Sequence, residues 1–169
     1  MVENPVPTTV PDTGTTDEDT PLSVDVAHGV LANDSDPDGD ALEVAAVDGD
    51  AGNIGQPVAG DNGGLFTLRP DGSYDFDPNG AFEDLALGEE RTTSIEYTVS
   101  DGEGGTSTAT LTITVTGTND APVVADTLAP QESEDAETDI RVDIKGGFTD
   151  RDTNDALTYT AEGLPEGLT

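Results

Sequence analysis

Four aspartates stand at every second position in residues 32–41, the segment ANDSDPDGDA. The four are Asp34, Asp36, Asp38 and Asp40. Like charges at this spacing repel one another unless water or a cation lies between them. A related pattern recurs in FTDRDTNDAL, where Asp150 and Asp152 are again separated by one residue. The two loops therefore predict cation binding.

The ligand atoms that these loops offer indicate which cation would bind. Asp34-x-Asp36-x-Asp38-Gly39 matches the start of the EF-hand calcium loop, but Ala45 stands where that loop requires a bidentate glutamate. Alternate carboxylates around a glycine turn still aim several hard oxygens at one point, which suits the roughly six to eight oxygens that calcium takes. The chain has no cysteine and one histidine, so softer metals lack their ligands. Calcium is the predicted ion. The alternative is a plain acidic turn in which each aspartate caps backbone amides.

Composition excludes several kinds of partner. Five basic and 37 acidic side chains give a net charge of -32 on 169 residues. Nucleic-acid binding needs a basic surface, so no nucleic-acid partner is expected. No apolar run reaches the roughly 20 residues of a membrane span. So large a charge also destabilises a compact state by self-repulsion, and bound cations should therefore assist folding.

No catalytic arrangement is recognisable in the chain. His28 is the only histidine, and a general base needs positioned partners. Paired carboxylates serve glycoside hydrolysis, but with 37 acidic residues such pairs arise by chance, and aromatic content is only 4%. We expect that the protein is not an enzyme.

The elements that must position the acidic loops are β-strands. In TATLTITVTG apolar residues alternate with threonines. SIEYTVSDG continues the same period of two, which predicts that Ile95, Tyr97 and Val99 face the core. LFTLRPDGSYDFD reads as a hairpin with its turn at Pro70-Asp71-Gly72. With LSVDV and LEVAAV as further candidates, about seven strands fall in roughly 110 residues, which predicts an all-β, immunoglobulin- or cadherin-like β-sandwich.

The chain also repeats itself. ENPVP resembles NDAPVV, and DPDGDAL (from Asp36) resembles DRDTNDAL (from Asp150) with one residue inserted. The repeat predicts tandem sandwiches. Residues 1–118 form the first, and residues 119–169 supply only the beginning of a second, because roughly 50 residues cannot close a sandwich core.

Sandwich topology gathers acidic residues at two ends. The loop 33–41 shares one end with SDGEGG, which carries Asp101 and Glu103, and with the N-terminal segment that holds Asn4. The opposite end collects TDEDT, LGEER and TNDAP, next to the start of the second unit. The predicted metal ligands are Glu18, Asp36, Asp38, Asp40, Glu89, Asp101, Asn119, Asp120, Asp150 and Asp152.

Several separated motifs, in order, carry a family resemblance. GVLANDSDPDGDALEV, GLFTLRPDGSYDFDPNGAFEDLALGEE and IEYTVSDGEGGTSTATLTITVTGTNDAPV resemble a VCBS repeat, the bacterial cadherin-like module of large RTX-type adhesins. The remainder is similar to the start of a dystroglycan-type cadherin-like domain. On this resemblance, Glu18, the linker Asn119-Asp120 and Asp150-x-Asp152 fit the cadherin junction pattern.

The resemblance implies a calcium-stiffened extender of a secreted bacterial adhesin, exported by type I secretion and active in cell adhesion and biofilm formation. Its expected place is extracellular, on the bacterial cell surface, as a monomer whose partners are neighbouring domains of the same adhesin. The alternative is a ligand-binding domain near the adhesin tip, which would recognise sugars, peptides or proteins of host or microbial cells.

Overall fold

The computed structural model describes residues 4–124, 144–153 and 156–160. Those residues contain strands and short 3-10 turns but no α-helix, which confirms the all-β prediction. No helix among them is long and apolar enough to cross a membrane. The strands are β1 (Asp12–Asp17), β2 (Leu22–Val24), β3 (Glu43–Val47), β4 (Val58–Ala59), β5 (Leu65–Leu68), β6 (Tyr74–Asp77), β7 (Glu90–Ser100), β8 (Thr106–Thr116), β9 (Val123–Val124) and β10 (Phe148–Thr149).

Residues 12–116 form two four-stranded sheets, with strand orders β1-β8-β7-β3 and β2-β6-β5-β4. The centre of the first sheet is the antiparallel β7–β8 pair, in register from Glu90↔Thr116 to Ser100↔Thr106. Alternation explains why both strands form: every second residue of β8 from Ala109 to Val115 is buried, and the threonines between them face outward. Residues 12–116, with both sheets, are called the sandwich below.

The predicted hairpin is β5 and β6, joined by a turn in which Gly72 adopts a φ of 84°. Phe66 and Phe76 face each other across it, with ring centroids 4.8 Å apart. Phe82, from the loop that follows β6, adds a third ring 6.4 Å from Phe76. All three rings are fully buried, so this hairpin and loop close one side of the core.

β1 is a strand that the apolar pattern did not predict, since its sequence DTGTTD has no large apolar side chain. It pairs in parallel with β8, from Asp12↔Leu111 to Asp17↔Thr116. Gly14 lets this polar strand lie flat on the core, because a Cβ there would come within 2.7 Å of the Ile113 side chain. With β4, which was also not predicted, the sandwich has eight strands rather than about seven.

After β8 the chain leaves the sandwich, and β9 and β10 form a separate two-stranded sheet. Most of the predicted second sandwich, including residues 133–143 of the segment SEDAETDIRVDI, lies outside the described residues. The division at residues 118 and 119 therefore stays a prediction.

Candidate metal centre

The repeated aspartates of loop 33–41 build a tight turn. Asp36 Oδ1 accepts three backbone N–H bonds, from Asp38 (2.8 Å), Gly39 (3.1 Å) and Asp40 (3.3 Å). Gly39 has a φ of 87°, a conformation that suits glycine. The turn thus engages one oxygen of Asp36, while its second oxygen, Oδ2, is buried without a hydrogen-bond partner.

Asp101 lies beside this turn and is only 4% exposed. Its Oδ1 accepts N–H bonds from Glu103 (2.8 Å) and Gly105 (2.9 Å), and its Oδ2 accepts one from Asn4 Nδ2 (2.9 Å). Burial raises the pKa of Asp101, but these hydrogen bonds together outweigh it and hold the pKa below its usual value. Asp101 is therefore kept ionised and fixed in place.

Asp40 shows that the two loops share one electrostatic environment. Its pKa is raised by desolvation and then by repulsion from Asp36, Glu103 and Asp101, with Asp38 adding to the effect. The topology thus brings together the residues predicted at this end. We call Asp36, Asp38, Asp40 and Asp101 the loop cluster.

Glu18 anchors the opposite end, directly after β1. It is 3% exposed, and its Oε1 accepts hydrogen bonds from the Thr118 N–H (2.6 Å) and the Thr118 hydroxyl (3.2 Å). Its Oε2 is buried without a partner. Burial raises the pKa of Glu18, the bonds from Thr118 partly offset this, and the charges of Asp120 and Asp19 raise the pKa further.

The segment that leaves the sandwich meets the second acidic loop at the same end. The Asp120 N–H donates to Asp152 Oδ2 (3.0 Å), and the Asp152 N–H donates to Asp150 Oδ1 (3.1 Å). Asp152 is 4% exposed, and its Oδ1 and the Oδ2 of Asp120 are buried without partners. We call Glu18, Asp120, Asp150 and Asp152 the linker cluster.

Two predicted ligands border this cluster. The backbone oxygen of Glu89 accepts the Gly117 N–H (2.7 Å), and its Oε2 accepts the Ala86 N–H (3.1 Å). Asn119 is exposed and donates from Nδ2 to the Asp120 backbone oxygen (2.8 Å).

Both clusters are built on the same local plan. Asp36 Oδ1 accepts the Asp38 N–H, and Asp150 Oδ1 accepts the Asp152 N–H. Just before each aspartate, the chain pairs with an entering segment, through the bridge Thr8↔Ser35 in one case and Val123↔Thr149 in the other. The repeat seen in the sequence is therefore also a repeat of structure.

Within the described residues, every buried side-chain oxygen or nitrogen that lacks a hydrogen-bond partner is a carboxylate oxygen at one of these two ends. They belong to Glu18, Asp34, Asp36, Asp120 and Asp152. A buried, unpaired carboxylate oxygen costs about 1–3 kcal/mol or more, so folded proteins pair such atoms or neutralise them with metal ions. Hard oxygens in acidic loops of irregular geometry fit calcium better than a softer metal.

A geometric observation weighs against a fully preassembled site. No group of three His, Cys, Asp or Glu side chains in the described part of the chain is already arranged to hold a metal ion. The unpaired oxygens remain the observation that favours a cation, because carboxylates of like charge repel one another unless a cation lies between them.

Asp34 does something that the sequence motif did not indicate. Its Oδ1 accepts the Val10 N–H (2.8 Å), so it ties the entering segment to the loop. The Tyr97 hydroxyl donates to Asp12 (2.5 Å), whose charge lies near that of Asp34. The polar run around Asp12 gave no signal for this contact, although the alternation did predict that Tyr97 faces inward.

Fold and clusters together define an all-β sandwich module with an acidic cluster at each end. A profile of the bacterial cadherin-like domain matches residues 4–117, and the chain belongs to that family. Domains of this kind have a non-enzymatic fold, generally bind calcium and are typically extracellular.

No curated protein matches the chain. Among solved structures, it is similar to a nucleoside hydrolase-related hypothetical protein from Saccharophagus degradans that is associated with carbohydrate metabolism. That likeness has 17% identity and a TM-score of 0.38, and it covers 68% of this chain. The chain spans about a quarter (26%) of the length of that protein.

Proposed function

We propose that the chain is a calcium-stiffened extender module of a secreted bacterial surface adhesin. The observation that carries the proposal is the set of unpaired, buried carboxylate oxygens at the two ends of the sandwich. Calcium would supply positive charge that these oxygens can share, and it would remove the repulsion between neighbouring aspartates.

The linker cluster joins three separate parts of the chain. Glu18 follows β1, Asp120 lies on the segment that leaves β8, and Asp152 belongs to the loop after β10. Calcium held by Glu18, Asp120, Asp150 and Asp152 would fix the direction in which the chain leaves the sandwich. Residues 119–169 would then begin a second module at a defined angle, and repeated joints of this kind would make a rod.

The loop cluster would do the same for the segment that enters the sandwich. Asn4 on that segment is already bonded to Asp101, and Val10 is bonded to Asp34. Asp36, Asp38 and Asp40 would supply further oxygens there. The two ends therefore serve one purpose, which is to turn flexible entry and exit segments into stiff ones.

The wider setting of the proposal is an array on a bacterial cell surface, in an RTX-type adhesin built from VCBS-like units and acting in adhesion and biofilm formation. Affinity in the range of about 10⁻⁴–10⁻³ M is expected for an extracellular calcium module. Such weak binding would keep the chain expanded before type I secretion and compact outside. The partners would be neighbouring modules.

Calorimetric titration of the chain with calcium tests the proposal. We expect saturable binding, higher thermal stability and a smaller radius of gyration in solution scattering than in chelator. Magnesium at equal concentration is the control and should act more weakly, because it demands stricter octahedral geometry. Identical stability and shape in calcium and in chelator would contradict the proposal.

A further inference from the structure

The loop between β6 and β7, residues 78–89, is a rigid platform beside the linker cluster. Phe82 is fully buried in the core, and the Arg91 guanidinium lies 5.9 Å from its ring centroid. Arg91 also donates two hydrogen bonds to the Asp84 carboxylate, at 2.9 and 2.7 Å. Paired bonds of this kind fix both partners in orientation as well as position. The backbone oxygen of Asp84 is thereby held in one place.

Residues of the second acidic loop bind this platform directly. The Thr153 hydroxyl and N–H both donate to the Asp84 backbone oxygen, at 2.9 and 3.3 Å. Arg151 Nη1 donates to Glu83 Oε2 at 2.5 Å. These bonds use none of the linker-cluster oxygens, so a cation at that cluster does not compete for their atoms.

We propose that Glu83 and Asp84 form a docking surface for the module that follows the sandwich, and that this docking does not need a metal ion. The surface selects a module that has a basic residue between the two aspartates of its acidic loop, as Arg151 lies between Asp150 and Asp152. This inference rests on the proposed function for its setting, a joint between modules. It adds that two kinds of contact hold the joint. One is the linker cluster with a bound cation. The other is the set of direct hydrogen bonds from Arg151 and Thr153 to Glu83 and Asp84, which we call the latch.

The repeat itself shows how the latch discriminates. The corresponding loop of the sandwich reads Asp-Pro-Asp-Gly from Asp36, and the second loop reads Asp-Arg-Asp-Thr from Asp150. Pro37 has no charge to offer Glu83, and Gly39 has no hydroxyl. A copy of the sandwich's own loop would therefore keep the aspartates for cation binding but lose most of the latch.

The ion pair between Arg151 and Glu83 is partly exposed to solvent. The Arg151 side chain is 65% exposed and that of Glu83 is 29% exposed, so the ion pair alone is weak. We expect the latch to change the balance between closed and open joints by about two- to fivefold.

Double electron–electron resonance on the 169-residue chain tests the latch. The chain has no cysteine, so Thr92→Cys and Gly146→Cys place one spin label on the sandwich and one beyond the linker. In chelator, Arg151→Ala should raise the fraction of molecules with an open joint, seen as longer distances between the labels, about two- to fivefold. The double variant Glu83→Arg with Arg151→Glu exchanges the two charges and should restore the narrow distribution of label-to-label distances of the wild type. Arg69→Ala is the matched control, because Arg69 pairs with Asp75 within the sandwich.

The outcomes separate the latch from the cation clamp. The double variant Arg151→Pro with Thr153→Gly should open the joint at least as much as Arg151→Ala. If wild type and Arg151→Ala give the same distribution in chelator, the latch is refuted, whatever calcium does. If calcium does not narrow the wild-type distribution, the calcium proposal fails, while a difference between the variants in chelator still supports the latch.

Discussion

A buried tyrosine is hydrogen-bonded to an aspartate whose negative charge opposes folding at neutral pH. Tyr97 is fully buried, and its hydroxyl donates to Asp12, which also accepts a bond from Asn33 Nδ2 (3.1 Å). Burial raises the pKa of Asp12. The bond from Tyr97 partly offsets this, and the charge of Asp34 raises the pKa further. Because the folded-state pKa is raised, Asp12 favours folding at low pH, and this contribution is lost as the pH rises through that pKa.

The variant Asp12→Asn should therefore gain stability relative to wild type as the pH rises from below the ordinary aspartate pKa to 7. The gain should be under about 1 kcal/mol, because solvent screens a half-buried carboxyl. Urea denaturation at a series of pH values measures it. Asp71→Asn is the control of opposite sign, because bonds from Ser73 lower the pKa of Asp71, and its contribution is lost as the pH falls. A constant difference between wild type and Asp12→Asn across the pH range would contradict this.

Glu18→Gln should act in opposite directions with and without calcium. In chelator the change removes a buried charge with one unpaired oxygen, so stability should be unchanged or higher. In calcium it removes a charged ligand, and the apparent affinity should fall about tenfold. Thermal melts in both conditions measure the effect. Glu90→Gln, at an exposed position, should behave as wild type, and a Glu18→Gln melt that responds to calcium like wild type would remove Glu18 from the site.

At the scale of elements, the sequence was informative where side chains alternate. The patterns in β5, β6, β7 and β8 predicted strands because every second residue enters the core. β1 was not predicted, because it is held mainly by backbone pairing and by the small size of Gly14. Topology also predicted which acidic loops meet. The latch was not predictable, since an ion pair between Glu83 and Arg151 has no local pattern.

The loop after β2 packs closely against the turn between β5 and β6. The Val30 N–H donates to the Gly72 backbone oxygen (2.9 Å), and a Cβ on Gly29 would lie 2.2 Å from that same oxygen. Gly29→Ala should therefore cost about 1–3 kcal/mol of unfolding free energy, measured by urea denaturation. Gly146→Ala is the control, since a Cβ there meets no atom within 4 Å. Equal stability of the two variants would show that the loops separate freely.

For the whole molecule, a net charge of -32 makes stability depend on ions in two separable ways. Sodium chloride screens repulsion generally, whereas calcium would bind the two clusters. At a hundredfold excess over the dissociation constant, calcium should add about 2.7 kcal/mol for each site. The melting temperature should then rise on the order of 10 °C. Sodium chloride of equal ionic strength should give a much smaller rise, and an equal rise in both salts would indicate screening alone.

The parallel pairing of β1 with β8 has a mechanical consequence. The chain enters at the start of β1 and leaves at the end of β8, and these strands run side by side over six residue pairs. Tension along the chain would slide one strand past the other and strain all of their hydrogen bonds together, instead of opening them one after another. The Glu18 N–H donates to the Thr116 oxygen, so the N–H of Thr16, two residues earlier on β1, also points to β8. We expect single-molecule pulling to show a high rupture force, and Thr16→Pro, which removes that N–H, should lower it. A module of this shape would resist shear, as a tether between a cell and a surface must in flowing water.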